Sequence, residues 1–191
     1  MSNPTKLTPT PGQTVGPFYG YALPYANDRH LLAPGSPGAI RLQGIVYDGA
    51  GHPIPDAILE IWQADADGRV PHSTGSLVRD GYTFTGFGRS SVGNTGVFTF
   101  TTVNPGATEE GAAPFIAVAV FARGLMNRLF TRIYLPEDEA ALAADPLLGS
   151  LEPERRKTLI ARRDADGGLT WDVRLQGEGE TVFLDFEGAS K

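Results

Sequence analysis

The chain has 191 residues, 41% of them hydrophobic and 20% charged, with 24 Gly, 15 Pro and no Cys. That length suits one domain able to bury its own core, and the missing thiols exclude disulfide scaffolds, zinc ribbons, iron–sulfur clusters and cysteine nucleophiles. A formal charge of −6 argues against nucleic-acid partners, which need a basic face. An all-histidine metal site would need all three of His30, His52 and His72. There is no apolar run of about 18 residues, hence no membrane span, and the N-terminus lacks an apolar signal core. The expectation is a soluble cytoplasmic protein.

Residues 1–38 carry Pro4, Pro9, Pro11, Pro17, Pro24, Pro34 and Pro37. They read as an extended N-terminal arm and not as a helix, because each proline lacks an N–H and biases its predecessor away from the α region. The apolar cluster Val15-Gly-Pro-Phe-Tyr-Gly-Tyr implies that something holds this arm. Two surfaces are open to it: its own domain, or another chain.

Residues 39–191 read as a single all-β domain. Ile40, Leu42, Gly44 and Val46 alternate through a first strand that ends in the turn Asp48-Gly-Ala-Gly. Ala57–Gln63 is a second strand, closed by Asp65-Ala-Asp-Gly, and Gly96–Val103 a third, closed by Asn104-Pro-Gly. Phe115–Gly124 is nearly all apolar, which predicts a central strand buried on both faces. Leu129–Leu135, Trp171–Gln176 and Thr181–Phe186 complete the set. Short strands with turn chemistry between them predict an antiparallel β-sandwich with an extended N-terminal arm and a short helical insertion. The insertion falls near 136–163. A helix begins at Pro136 and stops near Pro146, and a second runs from Glu152 to Arg163, with acidic residues opening both and Arg162/Arg163 closing the latter.

Chemistry-bearing patterns are few. The two Asp-Ala-Asp-Gly segments, at 65–68 and 164–167, lack the further ligands and distal Glu of a calcium loop and read as turns. The histidines are not spaced as helical zinc ligands and read as solvated loop residues. No serine occupies a Gly-x-Ser-x-Gly elbow. Arg123 ends the most apolar strand and Arg132 lies inside the next. A guanidinium at a buried strand needs an anionic partner, either a carboxylate of the same chain or one on a ligand.

Several strings, taken in order, resemble the intradiol ring-cleavage dioxygenases. They are Thr10-Pro-Gly-Gln-Thr-Val-Gly-Pro-Phe, Val46-Tyr-Asp-Gly-Ala-Gly-His, Leu59-Glu-Ile-Trp-Gln-Ala-Asp-Ala-Asp-Gly, Phe87-Gly-Arg, Val120-Phe-Ala-Arg-Gly, Thr131-Arg-Ile-Tyr, and the run from Arg174 to Phe186. The family's β-sandwich agrees with the strand pattern. Its non-haem ferric ion is held by two tyrosines and two histidines. The resemblance puts Val70 and Thr108 at the tyrosine positions, and Phe115 and Ala117 at those of a His-x-His. None of the four offers the hard anionic or imidazole donors that Fe(III) requires.

The resemblance therefore implies a subunit with no metal of its own in a heteromer. Its Fe(III) cofactor would be bound by a homologous iron-binding β subunit. This chain would supply Thr14, Gly16 and Pro17 to the substrate and Arg123 to catalysis, and the arm would be an intersubunit element. Phe18 stands where relatives carry another aromatic. The implied reaction joins a small aromatic substrate, 3,4-dihydroxybenzoate, with O2 to give 3-carboxy-cis,cis-muconate. A different reading is a non-enzymatic structural or carrier β-sandwich derived from that family. The arm and Arg123 favour the enzyme subunit, since a scaffold needs neither.

Overall fold

The computed structural model describes residues 14–72, 80 and 82–186. The first part of the arm, with Pro4, Pro9 and Pro11, lies outside the described residues. Among the described residues nine strands and four short helices follow in the order α1 Tyr19–Ala22, β1 Ile40–Tyr47, β2 Ile58–Trp62, β3 Phe87–Ser91, β4 Val97–Thr102, β5 Phe115–Phe121, β6 Leu129–Tyr134, α2 Glu139–Ala144, α3 Pro146–Gly149, α4 Pro153–Lys157, β7 Arg162–Arg163, β8 Leu169–Thr170 and β9 Val173–Arg174.

Two sheets result. One has the order β3-β2-β5-β6, antiparallel throughout. The other has the order β4-β1-β8-β7, with β9 also on β1. One core joins the inward residues of both, including Leu42, Val46, Phe98 and Phe100 from one sheet and Leu59, Ile61, Ile116, Val118 and Ile133 from the other. This is the β-sandwich that the alternation predicts, with two corrections. The second sheet is mixed, because β8 and β9 run parallel to β1. And β3, which the sequence presents only as a Phe-Gly-Arg string, is a full partner of β2.

The break between β8 and β9 has a local cause. Trp171 N–H donates to the Gln43 carbonyl and its backbone presses onto β1 at Gly44. A Cβ there would lie 1.7 Å from the Trp171 carbonyl oxygen, so the close approach demands glycine. Trp171 itself is buried, with its indole N–H on the Thr158 carbonyl at 2.9 Å.

The helical insertion departs from expectation in its parts. Asp138 caps α2 by accepting from Ala141 N–H, and Asp145 caps α3 by accepting from Leu148 N–H. The second predicted helix ends at Lys157. Its last turn carries Arg155, Arg156 and Lys157, while Arg162 and Arg163 lie in β7 and close no helix. Leu142, Leu148, Leu159, Tyr134 and Val182 form a second, smaller core beneath these helices. The predicted last strand, Thr181–Phe186, is extended but makes a single bridge, Leu184 to Phe130.

The arm is not wholly extended, since α1 gives it one helical turn. From Tyr19 onward it is fastened to its own domain. Tyr19, Asp28 and Leu31 are buried. Arg89 reaches from β3 to donate to the Leu23 carbonyl at 2.6 Å. At the far end, His30 bridges Thr101 of β4 and its ring Nδ1 lies 3.0 Å from the Thr101 hydroxyl. His30 is thus a partly buried contact residue and not a solvated one, whereas His52 and His72 are exposed. Both Asp-Ala-Asp-Gly segments are turns: Asp65 accepts from the backbone N–H groups of Asp67 and Arg69, and Asp164 N–H donates to the Gly168 carbonyl.

Candidate functional site

Two places on the molecule hold the residues that the sequence singles out, one at each end of β5. At its start, β5 presents Phe115, Ala117 and Ala119 on the face turned away from the core. Trp62 of β2 and Arg132 of β6 are the register partners of Ala117, and Glu60 and Phe130 those of Ala119. Large side chains on the outer strands and two alanines between them leave a trough of about 320 Å³. The strand is therefore central, as expected, but against the expectation from its apolar composition it is not buried on both faces.

The loops after β2 and β4 meet beside this end of β5. Gly106 N–H donates to the Asp65 carbonyl at 2.8 Å, and a Cβ on Gly68 would lie 2.0 Å from the Ala107 carbonyl oxygen. Val70 and Thr108, both exposed, belong to these two loops. The four positions that the resemblance assigns to iron ligands are thus carried by adjoining elements. Their side chains do not suit a ferric ion: an isopropyl, a neutral hydroxyl, a phenyl and a methyl. Among the described residues no group of three or more His, Cys, Asp or Glu converges as a metal site.

At the other end of β5 lie Arg123 and the arm. β5 stops at Phe121, so Arg123 stands in the following turn. It is 67% exposed and paired with Asp56, whose side chain is 21% exposed. Asp56 has a left-handed backbone, φ 62°, which Asp tolerates better than most residues. Of the two partners open to Arg123, a carboxylate of its own chain is therefore present, and the guanidinium still faces solvent.

Tyr19 packs beside this pair. Burial, with Asp56 close by, pushes its phenol up to about 12, against a smaller opposing pull from Arg123. Val15, Gly16, Pro17 and Phe18 line a hollow of about 440 Å³ against Phe121. Pro17 shares a second hollow with Asp56. Thr14 is exposed and its Oγ1 accepts from Gly16 N–H at 3.3 Å. Phe18 and Tyr21 project at 74% and 86% exposure.

The four nominated residues thus lie on one side of the domain, Pro17 next to the Asp56 that holds Arg123. Asp56 itself escaped the sequence reading, because nothing in Pro55-Asp56-Ala57 separates a turn aspartate from an ion-pair partner. The trough residues Trp62 and Phe130 also escaped it. Their signal, large residues flanking alternate alanines across three strands, exists only once the register is known.

The family model described as Dioxygenase matches residues 14–177. The chain belongs to the intradiol dioxygenase family. It is 42% identical over 197 residues to the protocatechuate 3,4-dioxygenase alpha chain of Burkholderia cepacia, a match covering 95% of this chain and 99% of that one. With the beta chain of the same name and organism it shares 31% over 156 residues, or 74% of this chain and 66% of that one. Within the family it is accordingly an alpha chain, a subunit of an enzyme. Among solved structures, the dioxygenase domain of a carbohydrate-binding fusion protein from Streptomyces sp. SirexAA-E superposes with a TM-score of 0.55 at 26% identity, covering 89% of this chain and 99% of that domain. Fe(III) is the family's usual cofactor, and the side chains at this alpha chain's corresponding positions do not suit it.

Proposed function

We propose that this chain pairs with a homologous beta chain to form a protocatechuate 3,4-dioxygenase, in which the beta chain holds the ferric ion. The reaction inserts both atoms of O2 into 3,4-dihydroxybenzoate and opens the ring between its hydroxyls to give 3-carboxy-cis,cis-muconate. What carries this reading is the combination of 42% identity to an alpha chain over 95% of the sequence with Val70, Thr108, Phe115 and Ala117 at the four positions that the resemblance assigns to iron ligands. A chain of this family that cannot hold the iron needs a partner that can. The assembly is cytoplasmic in this reading; among the described residues no helix is long and apolar enough to cross a membrane.

The chain's own contribution is a wall and a charge. Thr14, Gly16 and Pro17 line the substrate from the exposed part of the arm. Arg123 supplies a fixed cation to an anionic substrate, as preorganised charge does in a site that excludes water. What supports this is the exposure of the Arg123 guanidinium and its fastening by Asp56, which holds the fork in place and leaves donors free. Phe18, projecting beside these residues, is available for stacking on a partner or ligand ring.

The test is co-expression with the beta chain, iron analysis of the purified assembly and oxygen uptake on 3,4-dihydroxybenzoate. Stoichiometric iron and uptake in the heteromer, with neither in the lone chain, is the expected result. A lone chain that takes up iron tightly, or a heteromer inert towards this substrate, overturns the reading.

A further inference from the structure

The trough at the start of β5 has a composition that its ancestry as a ligand position does not require. Its floor is Ala117 and Ala119, and its walls are the rings of Trp62, Phe115 and Phe130. Two arginines lie over those rings. The Arg132 guanidinium is 4.1 Å from the Phe115 ring centre and that of Arg128 is 4.9 Å from Phe130. A guanidinium held over a ring by its charge spends no N–H donor on a hydrogen-bond acceptor in doing so. One donor of Arg132 goes to the Tyr134 hydroxyl at 3.2 Å, which also lies 3.2 Å from the Asp145 carboxylate. Burial raises the Tyr134 phenol above its ordinary range, so this contact positions Arg132 without neutralising it. Among the described residues the one carboxylate lining the trough, Glu60, is engaged twice by Arg89, at 2.5 and 2.9 Å.

We propose that this trough binds one planar aromatic carboxylate of the benzoate class, without a metal. Its ring would stack on Trp62 above the two alanines, and its carboxylate would take the free edge of Arg132, which covers the Phe115 ring, with Arg128 as a second cation. The volume of about 320 Å³ falls at the small end of the range for small-molecule sites, roughly 300–1,000 Å³, which suits a single ring and not an extended ligand. A ring without the carboxylate leaves both cations unused, and a carboxylate without the ring leaves the aromatic walls wet. Both halves are therefore needed for binding. The site lies at the opposite end of β5 from Arg123 and does not depend on the reaction proposed above.

The experiment is equilibrium dialysis of radiolabelled benzoate against the heteromer purified from co-expression, or against the lone full chain if no heteromer forms. The result is counted per copy of this chain, with phenol and acetate as competitors. Ala117→Phe fills the floor from the open side of the sheet, and Arg132→Met removes the fork at similar volume. Each is expected to remove one bound benzoate per copy relative to wild type. Arg132→Lys is expected to retain the site at an affinity about ten-fold weaker, since a point charge lacks the bidentate fork. Phenol and acetate are expected to compete at least about ten-fold less well than unlabelled benzoate. An unchanged count in Ala117→Phe and Arg132→Met overturns the proposal. Equal competition by acetate reduces the trough to a general anion site, equal competition by phenol reduces it to an apolar hollow, and either overturns it as well. Oxygen uptake is measured on the same preparations. Its absence overturns the proposed reaction and leaves the count to decide the trough.

Discussion

The two ends of β5 differ in what holds their side chains. At the start, register does most of the work: three strands fix Trp62, Ala117 and Arg132 in one row, and Leu184 and Phe186 of the C-terminal segment add to the lining. At the end, Phe121 gives way to a turn. Arg123 stands on it largely in solvent, with Asp56 as its ion-pair partner and a partly exposed arm as its neighbour. The first region is complete in itself. The second offers a cation, two projecting rings and a hollow lined by the arm. The first carries, at the positions that the resemblance assigns to iron ligands, side chains that do not suit a ferric ion, and in the reading proposed above the second works against another chain. Four tests, from the largest expected effect to the smallest, break or sharpen this contrast.

The largest concerns iron. If the trough has lost the metal, the lone chain reconstituted with ferric salt is expected to retain none after desalting, and the heteromer about one ion per alpha–beta pair. Elemental analysis decides it. Tight stoichiometric iron in the lone chain would erase the difference between the two regions.

The next concerns how firmly the arm belongs to the domain. Glu60 and Arg89 are the most buried ion pair among those described, with side-chain exposures of 18% and 16%, and Arg89 also holds the Leu23 carbonyl. Arg89→Ala strands Glu60 and removes the side-chain tie to the arm at Leu23. Breaking a buried pair by removing one partner costs about 3 kcal/mol, and urea denaturation is expected to show a loss of that order. Glu60→Gln in the Arg89→Ala background should recover part of it, because the stranded charge is gone. A loss within about 0.5 kcal/mol would make the arm as loosely held as its exposed tip.

The third turns on Arg123. If the exposed end of β5 acts on a ligand beside the partner's iron, Arg123→Ala in the heteromer is expected to lower kcat/KM about ten-fold, roughly 1.4 kcal/mol, with iron content unchanged. Arg123→Lys should recover only part. If instead Arg123 serves only its ion pair with Asp56, Asp56→Asn and Arg123→Ala should lower assembly yield alike and leave activity per bound iron normal. The pair is exposed enough that its direct contribution to stability is small, so a large change in activity cannot be a folding effect in disguise.

Much of this molecule was legible in its sequence, and the failures have physical causes. Strands β1, β2, β4 and β5 show themselves because most of their buried positions are Leu, Ile, Val or Phe, and β6 because Leu129, Phe130, Ile133 and Tyr134 make it apolar throughout its length. β3 does not, because its buried positions are Gly88 and Ser90, which carry no hydrophobic signal. Gly88 faces Leu31 of the arm, so the strand is specified by a contact from outside itself. β8 and β9 are two residues each on either side of the break at Trp171, too short for a periodic pattern to reveal. Arg162 and Arg163 mimic a helix terminus by composition alone. At the candidate site, the arm and Arg123 could be nominated by family resemblance. Asp56, which holds Arg123, could not, because an ion pair spanning 67 residues leaves no trace in sequence spacing.

The smallest effect tests the fastened end of the arm, where the contrast with the exposed tip should be greatest. His30 Nδ1 lies 3.0 Å from the Thr101 hydroxyl. Burial, then the charge of Arg29, lowers its pKa from the ordinary 6.5, against a smaller opposing pull from Asp28. A histidine whose folded pKa lies below its unfolded one favours the native state while neutral. Its contribution is therefore fully present above about pH 6.5 and is lost as pH falls from there towards the folded pKa. His30→Asn keeps a short polar side chain and cannot titrate. On going from about pH 7.5 to about pH 5.5, the melting temperature of the wild type is expected to fall further than that of His30→Asn, by a few degrees at most. His52 and His72 are exposed and common to both proteins, so their titration cancels in the difference. Equal falls would mean that protonating His30 costs the native state nothing, and that the arm at residues 29–31 gives way as easily as at Phe18. A larger fall in the wild type, with Arg123-dependent activity per iron unchanged at the lower pH, would separate the two halves of the arm: one sealed to its own sheet, the other left free for a second chain.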